Sequence, residues 1–341
     1  MSGTESKTAP DDASTRLSGW LVIDKPRGMG STPVVSAVKR ALREGGYVKT
    51  KVGHGGTLDP LAQGVLPIAL GEATKLAGRM LDASKTYEFT IQFGEETDTL
   101  DAEGAVISTS RRRPPMEAVA AVLELFTGAI EQMPPAYSAL KVDGKRAYER
   151  ARAGEDVVLK PRAVTIHSLE LASDYTGSGD PSELETSFAQ PDPYNPPPPL
   201  VSADSVTLIA SVSKGTYIRS LARDIARALG TVGHVTYLRR TKAGPFAENQ
   251  AISLDKLRET ASGARLSDII LPLEAGLDDI PALNLAPEEA AAVRQGRVVT
   301  GMPQTDGLYF ARLGTVPVAL IEIVGGTVSI VRGFNFPDVA E

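Results

Sequence analysis

The stretch Gly53-His54-Gly55-Gly56-Thr57-Leu58-Asp59-Pro60-Leu61-Ala62 holds the densest group of chemically informative residues in the chain. Its glycines allow a tight backbone and the close approach of a ligand, and Pro60 disfavours a helical backbone at Asp59. An aspartate on such a loop, just before the apolar run at residues 65–70, is well placed for a functional site. The alternative is an aspartate that only caps a turn, which is common.

The loop does not match the sequence of either standard phosphate-binding loop, the P-loop or the dinucleotide-binding loop. It lacks Lys-Ser/Thr after its last glycine, and its glycines do not match the dinucleotide-binding fingerprint.

The chain has no cysteine, which excludes thiol nucleophiles, disulfides and cysteine-ligated zinc. Its three histidines, His54, His167 and His234, lack the spacing of metal ligands. We therefore expect no metal, and acid–base chemistry from carboxylates, tyrosine or His54.

Length and composition indicate a cytoplasmic enzyme. The 341 residues suffice for two domains, or for one large domain and a small one. The apolar runs are too short to cross a bilayer, so we expect no membrane segment. Residues 1–17 contain several acidic side chains and no apolar core, so they predict a disordered tail instead of a signal peptide.

The charge is unevenly distributed along a chain whose net charge is −6. Residues 20–80 contain nine positive and four negative side chains, and residues 211–244 contain seven positive side chains and one negative. Two basic stretches in an acidic chain favour a surface that binds a polyanion. Charge alone equally allows two ordinary solvated faces.

Hydrophobic periodicity around the loop predicts alternating helices and strands. We expect strands at residues 20–23, 65–70, 87–93, 164–171 and 206–212, and helices at 32–43, 72–81, 116–126 and 217–229. A final helix at 287–295 and short strands at 308–312, 316–323 and 327–331 predict a small β-rich module at the C-terminal end. Residues 173–204, rich in Gly, Ser and Pro, read as an exposed, poorly ordered insertion between two strands.

Seven blocks of sequence, in the same order, resemble the bacterial TruB-type tRNA pseudouridine synthase family. They are Asp24-Lys25-Pro26, the stretch from Gly53 to Ala62, Gly64-x-Leu66-Pro67, Gly71-x-Ala73-Thr74-Lys75, Tyr137-Ser138-Ala139-Leu140-Lys141, Gly215-Thr216-Tyr217-Ile218-Arg219 and Tyr237-Leu238-Arg239-Arg240. The resemblance extends from about residue 19 to the end. Gly55 stands where relatives often have Thr, a change that we expect to be tolerated, and the Pro-rich insertion departs from the usual pattern.

The resemblance implies an α+β fold with a largely antiparallel mixed sheet and a small β-rich, PUA-like RNA-binding domain. The expected boundaries are 18–275 for the catalytic domain, including the insertion, and 280–338 for the C-terminal module. It further implies the isomerisation of uridine 55 in the T-loop of tRNA to pseudouridine, without a cofactor. The expected partner is tRNA, held at its T-arm and its acceptor side, and the expected oligomeric state is a monomer.

The same resemblance assigns roles to individual residues. Asp59 is the catalytic carboxylate, and the sequence does not choose between attack at C1′ and removal of the C2′ proton. Arg219 is expected beside Asp59, where a cation would keep a buried carboxylate ionised. Tyr87 is expected to be a catalytic residue too: its ring stacks on the flipped uracil, and its phenol helps to remove the C5 proton. Tyr217 and Leu238 are expected to form further walls of the uracil pocket.

Two further residues are assigned to RNA binding. The resemblance implies that His54 stacks where the target base leaves the helix, and that Lys25 contacts the RNA. Without the resemblance, four of these residues have simpler interpretations. Tyr87 would be a half-buried strand residue and Leu238 a core residue. Arg219 would contact phosphate from the helix surface, and His54 would be a general base.

Two other functions remain open from the sequence. The first is a non-catalytic RNA-folding or assembly factor, an activity that can also accompany catalysis. The second is a glycoside hydrolase with two carboxylates, although the loop offers Asp59 no obvious acid partner.

Overall fold

The computed structural model describes residues 17–138, 140–142, 144–153, 155, 159–172, 202–263 and 265–336. The chain divides into two units: residues 1–60, 64–83 and 242–341 form the first, and residues 61–63 and 84–241 form the second. The predicted N-terminal tail, apart from Leu17, lies outside the described residues, and so does the predicted insertion apart from residues 202–204.

Strands outnumber helices in both units. In chain order the strands are β1 (Gly19–Lys25), β2 (Val52–His54), β3 (Gln63–Leu70), β4 (Lys85–Phe93), β5 (Glu95–Thr97), β6 (Val106–Thr109), β7 (Gly128–Gln132), β8 (Lys141–Val142), β9 (Lys145–Arg146), β10 (Arg162–Leu171), β11 (Ser205–Val212), β12 (Gly233–Ala243), β13 (Phe246–Ala247), β14 (Ala282–Asn284), β15 (Gly307–Leu313), β16 (Val316–Val324) and β17 (Thr327–Gly333). The α-helices are α1 (Ser31–Glu44), α2 (Ala77–Asp82), α3 (Met116–Val122), α4 (Ala147–Arg152), α5 (Ile218–Ala228), α6 (Leu254–Ser262) and α7 (Pro287–Arg294). Short 3₁₀ segments cover Gly71–Leu76, Leu123–Phe126, Glu248–Gln250, Leu266–Ile269 and Leu273–Gly276.

In the first unit, β3 is the strand that positions the Asp59 loop. It pairs antiparallel with β1, in a register that sets Gly19 opposite Leu70 and Lys25 opposite Gly64. It also pairs with the short β2, which sets His54 opposite Ile68. The end of β1 and the end of β2 therefore both lie against β3, and the loop with Asp59 connects β2 to β3.

The C-terminal module is a four-stranded sheet in the order β14-β15-β16-β17. β14 pairs parallel with β15, and the other pairs are antiparallel. Its own core includes Leu285, Ala290 and Ile321. Three further side chains of the module instead join a core that contains Trp20 and Leu76: Phe310, Leu320 and Phe334. The module is thus bound to the rest of the first unit by shared apolar packing, which is the main stabilising interaction in protein cores.

In the second unit, the strand order is β12-β4-β11-β10-β7. The pairs β4–β11, β11–β10 and β10–β7 are antiparallel. Helix α5 lies against β4 and against the 3₁₀ segment Leu123–Phe126. Its apolar stripe is buried, as the 3.6-residue period predicts. This packing fixes where the first turn of α5, with Arg219, can lie.

Most predicted elements are present, with two differences in helix type. The helix predicted at 72–81 is the 3₁₀ segment Gly71–Leu76 followed by α2, and the helix predicted at 116–126 is α3 followed by Leu123–Phe126. Periods of 3.0 and 3.6 residues cannot be separated over four to six residues, so sequence periodicity does not distinguish these forms. The predicted α+β class with largely antiparallel pairing is present. Among the described residues, no helix combines the length and the apolar character needed to cross a membrane.

Candidate active site

The predicted site residues lie in both units. Lys25, His54 and Asp59 belong to the first unit. The remaining predicted residues, Tyr87, Tyr217, Arg219 and Leu238, belong to the second.

Asp59 is half-buried, and its neighbours on both sides are fixed through their backbone groups. Ser31, the first residue of α1, accepts a hydrogen bond from the Leu58 N–H through its Oγ at 2.8 Å. The same hydroxyl donates to the Leu58 carbonyl at 3.2 Å. Ser31 is only 4% exposed. A single buried hydroxyl thus satisfies both polar backbone groups of the residue before Asp59, which buried groups require.

The residue after Asp59 is held in a similar way. The Pro60 carbonyl accepts from the Gly28 N–H at 2.8 Å and from Lys25 Nζ at 3.4 Å. Lys25 is fully buried, and its ammonium also donates to the carbonyls of Pro26 and Met29. The contacts shown here are therefore to the turn after β1 and to the Asp59 loop, and the predicted contact of Lys25 with RNA stays a prediction.

The glycines of the loop permit close packing beneath it. The Gly55 N–H donates to the Pro67 carbonyl at 2.8 Å. A Cβ added at Gly55 would lie 2.7 Å from the Cβ of Met80 in α2, a distance that real Cβ contacts essentially never show. Next to Gly55, His54 is half-buried, and its Nδ1 accepts from the Gly56 N–H at 3.4 Å. The predicted stacking of His54 on RNA is not tested by these contacts.

In the second unit, Arg219 takes part in a buried ion pair with Asp101. Arg219 Nη1 lies 3.2 Å from Asp101 Oδ2, and the two side chains are 6% and 4% exposed. The guanidinium also donates to the carbonyls of Thr99 at 2.8 Å and Tyr137 at 3.0 Å. The other oxygen of Asp101 accepts from Thr99 Oγ1 at 2.6 Å and from the Glu103 N–H at 3.0 Å. Buried charges need this kind of pairing and hydrogen bonding to be tolerated.

The backbone before Asp101 adopts an uncommon conformation. Leu100 has φ of +62°, and among the described residues it alone, apart from glycines, has a positive φ. A non-glycine residue in this region is strained, and such residues persist where the surroundings fix them. Here the Leu100 carbonyl accepts from the Val235 N–H at 3.1 Å, and the Ala102 N–H donates to the Val235 carbonyl at 3.0 Å. The loop that presents Asp101 to Arg219 is therefore fixed on β12.

The aromatic and apolar residues predicted for the uracil pocket are distributed over three elements. Tyr87 lies on β4 opposite Ala210 of β11, and its side chain is half-buried. Tyr217 is the N-cap residue of α5 and is also half-buried. Leu238 lies on β12, the neighbour of β4, and is 6% exposed. A half-buried ring keeps one part of its surface available for stacking.

Asp101 and Ser31 were not predicted from the sequence. The only local signal for Asp101 was the turn-forming run from Asp98 to Gly104, which contains two further acidic residues. Such runs usually form solvated turns. Ser31 had a signal as a helix-start residue, but the structure uses its hydroxyl to bind a loop that is 27 residues away in the sequence. Neither partnership is a local property of the sequence.

Comparison with known proteins shows the family. Residues 43–187 match the model of the TruB family pseudouridylate synthase N-terminal domain, and residues 219–278 match that of the tRNA pseudouridylate synthase B C-terminal domain. The chain is 62% identical to a tRNA pseudouridine synthase B of Novosphingobium aromaticivorans, over 95% of this chain and 100% of the relative. It is 53% identical to one of Zymomonas mobilis, over 96% and 98%.

Solved structures agree with the fold. A chain of an H/ACA ribonucleoprotein, solved with a substrate RNA that contains 2′-deoxyuridine, superposes with a TM-score of 0.65 at 24% identity. The match covers 94% of this chain and 86% of that chain. The fold class predicted from the sequence is confirmed, and so is the predicted enzyme class. The chain belongs to the TruB family of pseudouridylate synthases.

Proposed function

We propose that the chain isomerises uridine 55 in the T-loop of tRNA to pseudouridine, with Asp59 as the catalytic carboxylate. The observation that supports this most strongly is the 62% identity, over the whole length of the relative, to a protein named tRNA pseudouridine synthase B. At that level of similarity we expect the substrate class to be shared.

The reaction is an internal rearrangement. The N1–C1′ bond of the uridine breaks, the uracil turns, and a C5–C1′ bond forms. The proton on C5 is lost and N1 gains a proton, so atoms and electrons balance without an oxidant or a group donor. Asp59 assists the departure of the uracil, either by attack on C1′ or by removal of the C2′ proton. Its fixed neighbours Leu58 and Pro60 support this role, because a catalytic group must be held in a productive geometry.

Arg219, Tyr87, Tyr217 and Leu238 complete the proposed site. We assign Arg219 a place beside the Asp59 carboxylate, where opposite charges attract. Its ion pair with Asp101 supports this by fixing the guanidinium. Tyr87 stacks on the flipped uracil, a kind of contact that contributes about 1–3 kcal/mol per base, with Tyr217 and Leu238 as further walls of the pocket.

Binding of the tRNA is assigned to the basic stretches and to the C-terminal module. Flipping a base out of its stack costs a few kcal/mol, which contacts elsewhere on the RNA must offset. The C-terminal module has an open groove lined by Arg294, Gly296, Ile330, Phe334 and Asn335, among others. An exposed arginine beside exposed glycine backbone suits a nucleic-acid backbone, which supports placing the acceptor side of the tRNA there.

Tritium release tests the proposal directly. An unmodified tRNA transcript labelled with tritium at C5 of uridine is incubated with the wild type and with Asp59→Asn. The C5 hydrogen leaves only if the base is reattached through that carbon. We expect release by the wild type, none by Asp59→Asn, and none from a transcript whose uridine 55 is replaced by cytidine.

The variant must still bind tRNA for this result to identify a catalytic role. Asn keeps the size of Asp59 and removes its charge, so we expect the dissociation constant for tRNA to change little. If the wild type binds tRNA tightly, in a salt-dependent manner, but releases no tritium, the enzyme assignment is wrong and an RNA-folding factor is the better description.

A further inference from the structure

Gln132, the last residue of β7, makes a hydrogen bond to the start of α5. Its side-chain Oε1 accepts from the Tyr217 N–H at 2.8 Å. Tyr217 is the N-cap residue of α5, and its own side chain makes no capping hydrogen bond. Gln132 is 2% exposed. A long amide is thus buried beside a helix terminus, where backbone N–H groups lack partners within the helix.

The segment 132–137 contacts the first two turns of α5 at three further points. Ser220 Oγ donates to the Met133 carbonyl at 2.8 Å, and Arg223 Nη2 donates to the same carbonyl at 3.2 Å. Arg219 Nη2 donates to the Tyr137 carbonyl at 3.0 Å. In these three bonds the acceptors are backbone carbonyls, which any residue would supply. Gln132 instead contributes through its side chain, so its contribution depends on its identity.

The orientation of the Gln132 amide is fixed by its partner. Its nitrogen, Nε2, is buried and has no hydrogen-bond partner among the described residues. Exchanging the positions of oxygen and nitrogen would put an N–H donor against the Tyr217 N–H, which cannot accept. A buried donor without a partner disfavours the folded state. The unpartnered nitrogen therefore lowers the stability of the folded state, and the contact that the side chain contributes is the one made by its oxygen.

We propose that Gln132 is a positioning residue for the reaction: through its bond to Tyr217 it sets the start of α5, and with it the places of Tyr217 and Arg219. This inference rests on the proposed function, in which both residues belong to the site. Displacing a site residue by about 1 Å costs on the order of 10²-fold in rate, even when the change lies away from the chemistry.

Two variants separate the acceptor from the rest of the side chain. Gln132→Met keeps the length and removes both polar atoms, whereas Gln132→Glu keeps an acceptor oxygen at the same reach and, when ionised, donates nothing. Glu131→Gln, at the exposed neighbouring position on β7, serves as the control. Each protein is assayed at pH 8 for the single-turnover rate of tritium release, the dissociation constant for tRNA and the melting temperature.

We expect Gln132→Met to lower the single-turnover rate roughly 10²-fold, with a melting temperature equal to or above that of the wild type. Its dissociation constant for tRNA should stay within about threefold, because the loss is in geometry and not in the RNA contacts. Gln132→Glu should recover most of the rate, and Glu131→Gln should behave like the wild type. A Met variant with the wild-type rate, or a Glu variant as slow as the Met variant, would overturn the proposal.

Hydrogen exchange supplies a readout that does not depend on RNA. The Tyr217 amide should exchange faster in Gln132→Met than in the wild type or in Gln132→Glu, as measured by mass spectrometry of peptides from the start of α5. Unchanged exchange would refute the positioning role, whatever the activity. If the wild type releases no tritium at all, the proposed function fails, and the exchange data still decide whether Gln132 holds the helix start.

Discussion

The loop that contains Asp59 and the start of α5 are both fixed in place, but by different kinds of interaction. In the loop, the backbone of Leu58 is bound by the neutral hydroxyl of Ser31. At the start of α5, Arg219 is bound by the buried carboxylate of Asp101 and by two carbonyls. Removal of a neutral partner leaves one uncharged polar group unpaired, whereas removal of a charged partner leaves a buried charge.

Substitutions in the two regions should therefore lower the free energy of unfolding by different amounts. The Arg219 region is expected to tolerate little change, because its charges are almost completely shielded from water. The Asp59 loop has exposed positions, Thr57 and Pro60 among them, so water can reach parts of its backbone after a substitution. The predictions below test this difference, beginning with the largest expected effect.

The largest effect is expected from Asp101→Ala, which leaves the Arg219 guanidinium buried without its carboxylate. Breaking such a pair typically costs about 3–5 kcal/mol. We expect a loss of that size in the free energy of unfolding, measured by urea denaturation, together with a loss of tritium release. The matched control is Glu96→Ala, which likewise truncates a carboxylate, here one that is 8% exposed but whose partner, Arg227, is 55% exposed.

Because water can solvate Arg227 after that change, the control should cost clearly less than Asp101→Ala, by about 2 kcal/mol or more. Equal losses in the free energy of unfolding of the two variants would show that burial of the arginine does not determine how much stability is lost.

The next largest effect is expected from Gly55→Thr, because the new Cβ would overlap the Cβ of Met80. Overpacking of this kind typically costs about 1–3 kcal/mol, and we expect a value near the top of that range because the crowded atom is close to the α2 backbone. Gly53→Thr, at a position where an added Cβ has no neighbour within 4 Å, is the control.

Thermal unfolding of Gly55→Thr, Met80→Gly and the double variant measures the coupling. The double variant should be less destabilised than the sum of the single variants, since Met80→Gly removes the Cβ that the new side chain would overlap. Additive losses of stability would mean that the Asp59 loop, which contains Gly55, and α2 do not constrain each other.

The smallest effect on stability is expected from Ser31→Ala, about 1–2 kcal/mol, because one hydroxyl is removed and no charge is left behind. The same change should slow tritium release more than it weakens tRNA binding, since the Leu58 backbone next to Asp59 loses its anchor. Ser36→Ala is the matched control: Ser36 lies in the same helix, and its hydroxyl donates only to the exposed Thr32 carbonyl. A rate for Ser31→Ala equal to that of Ser36→Ala would show that the loop holds its geometry without Ser31.

Much of the secondary structure could be predicted from the sequence. The stripe of Ile218, Leu221, Ala222 and Ile225 predicted α5, and the apolar run at residues 65–70 predicted β3, because burial on one face imposes a period on the sequence. The five-residue β7 was missed. Of its side chains only Gln132 is fully buried, so the strand has no apolar alternation to recognise.

The candidate site was only partly predictable. Asp59 and Arg219 were selected from the sequence because they lie in blocks that resemble a family, and Tyr87 because it aligns with the active-site tyrosine of that family. Lys25 was selected from such a block as an RNA contact, which stays a prediction; in the structure its ammonium is buried against the carbonyls of Pro26, Met29 and Pro60. Local sequence indicates that a lysine follows a strand, but it does not indicate which backbone groups lie within reach of its side chain.

The sequence by itself determined the type of protein: the periodicity of its helices and strands, the absence of cysteine chemistry, and the ordered motifs of the TruB family. Only the tertiary structure decided the partners of the site residues, such as Asp101 for Arg219, Ser31 for Leu58 and Gln132 for Tyr217. These partners are separated by 27 to 118 positions in the chain. Periodicity is a local consequence of burial on one face, whereas the pairing of buried polar groups depends on which distant segments pack together.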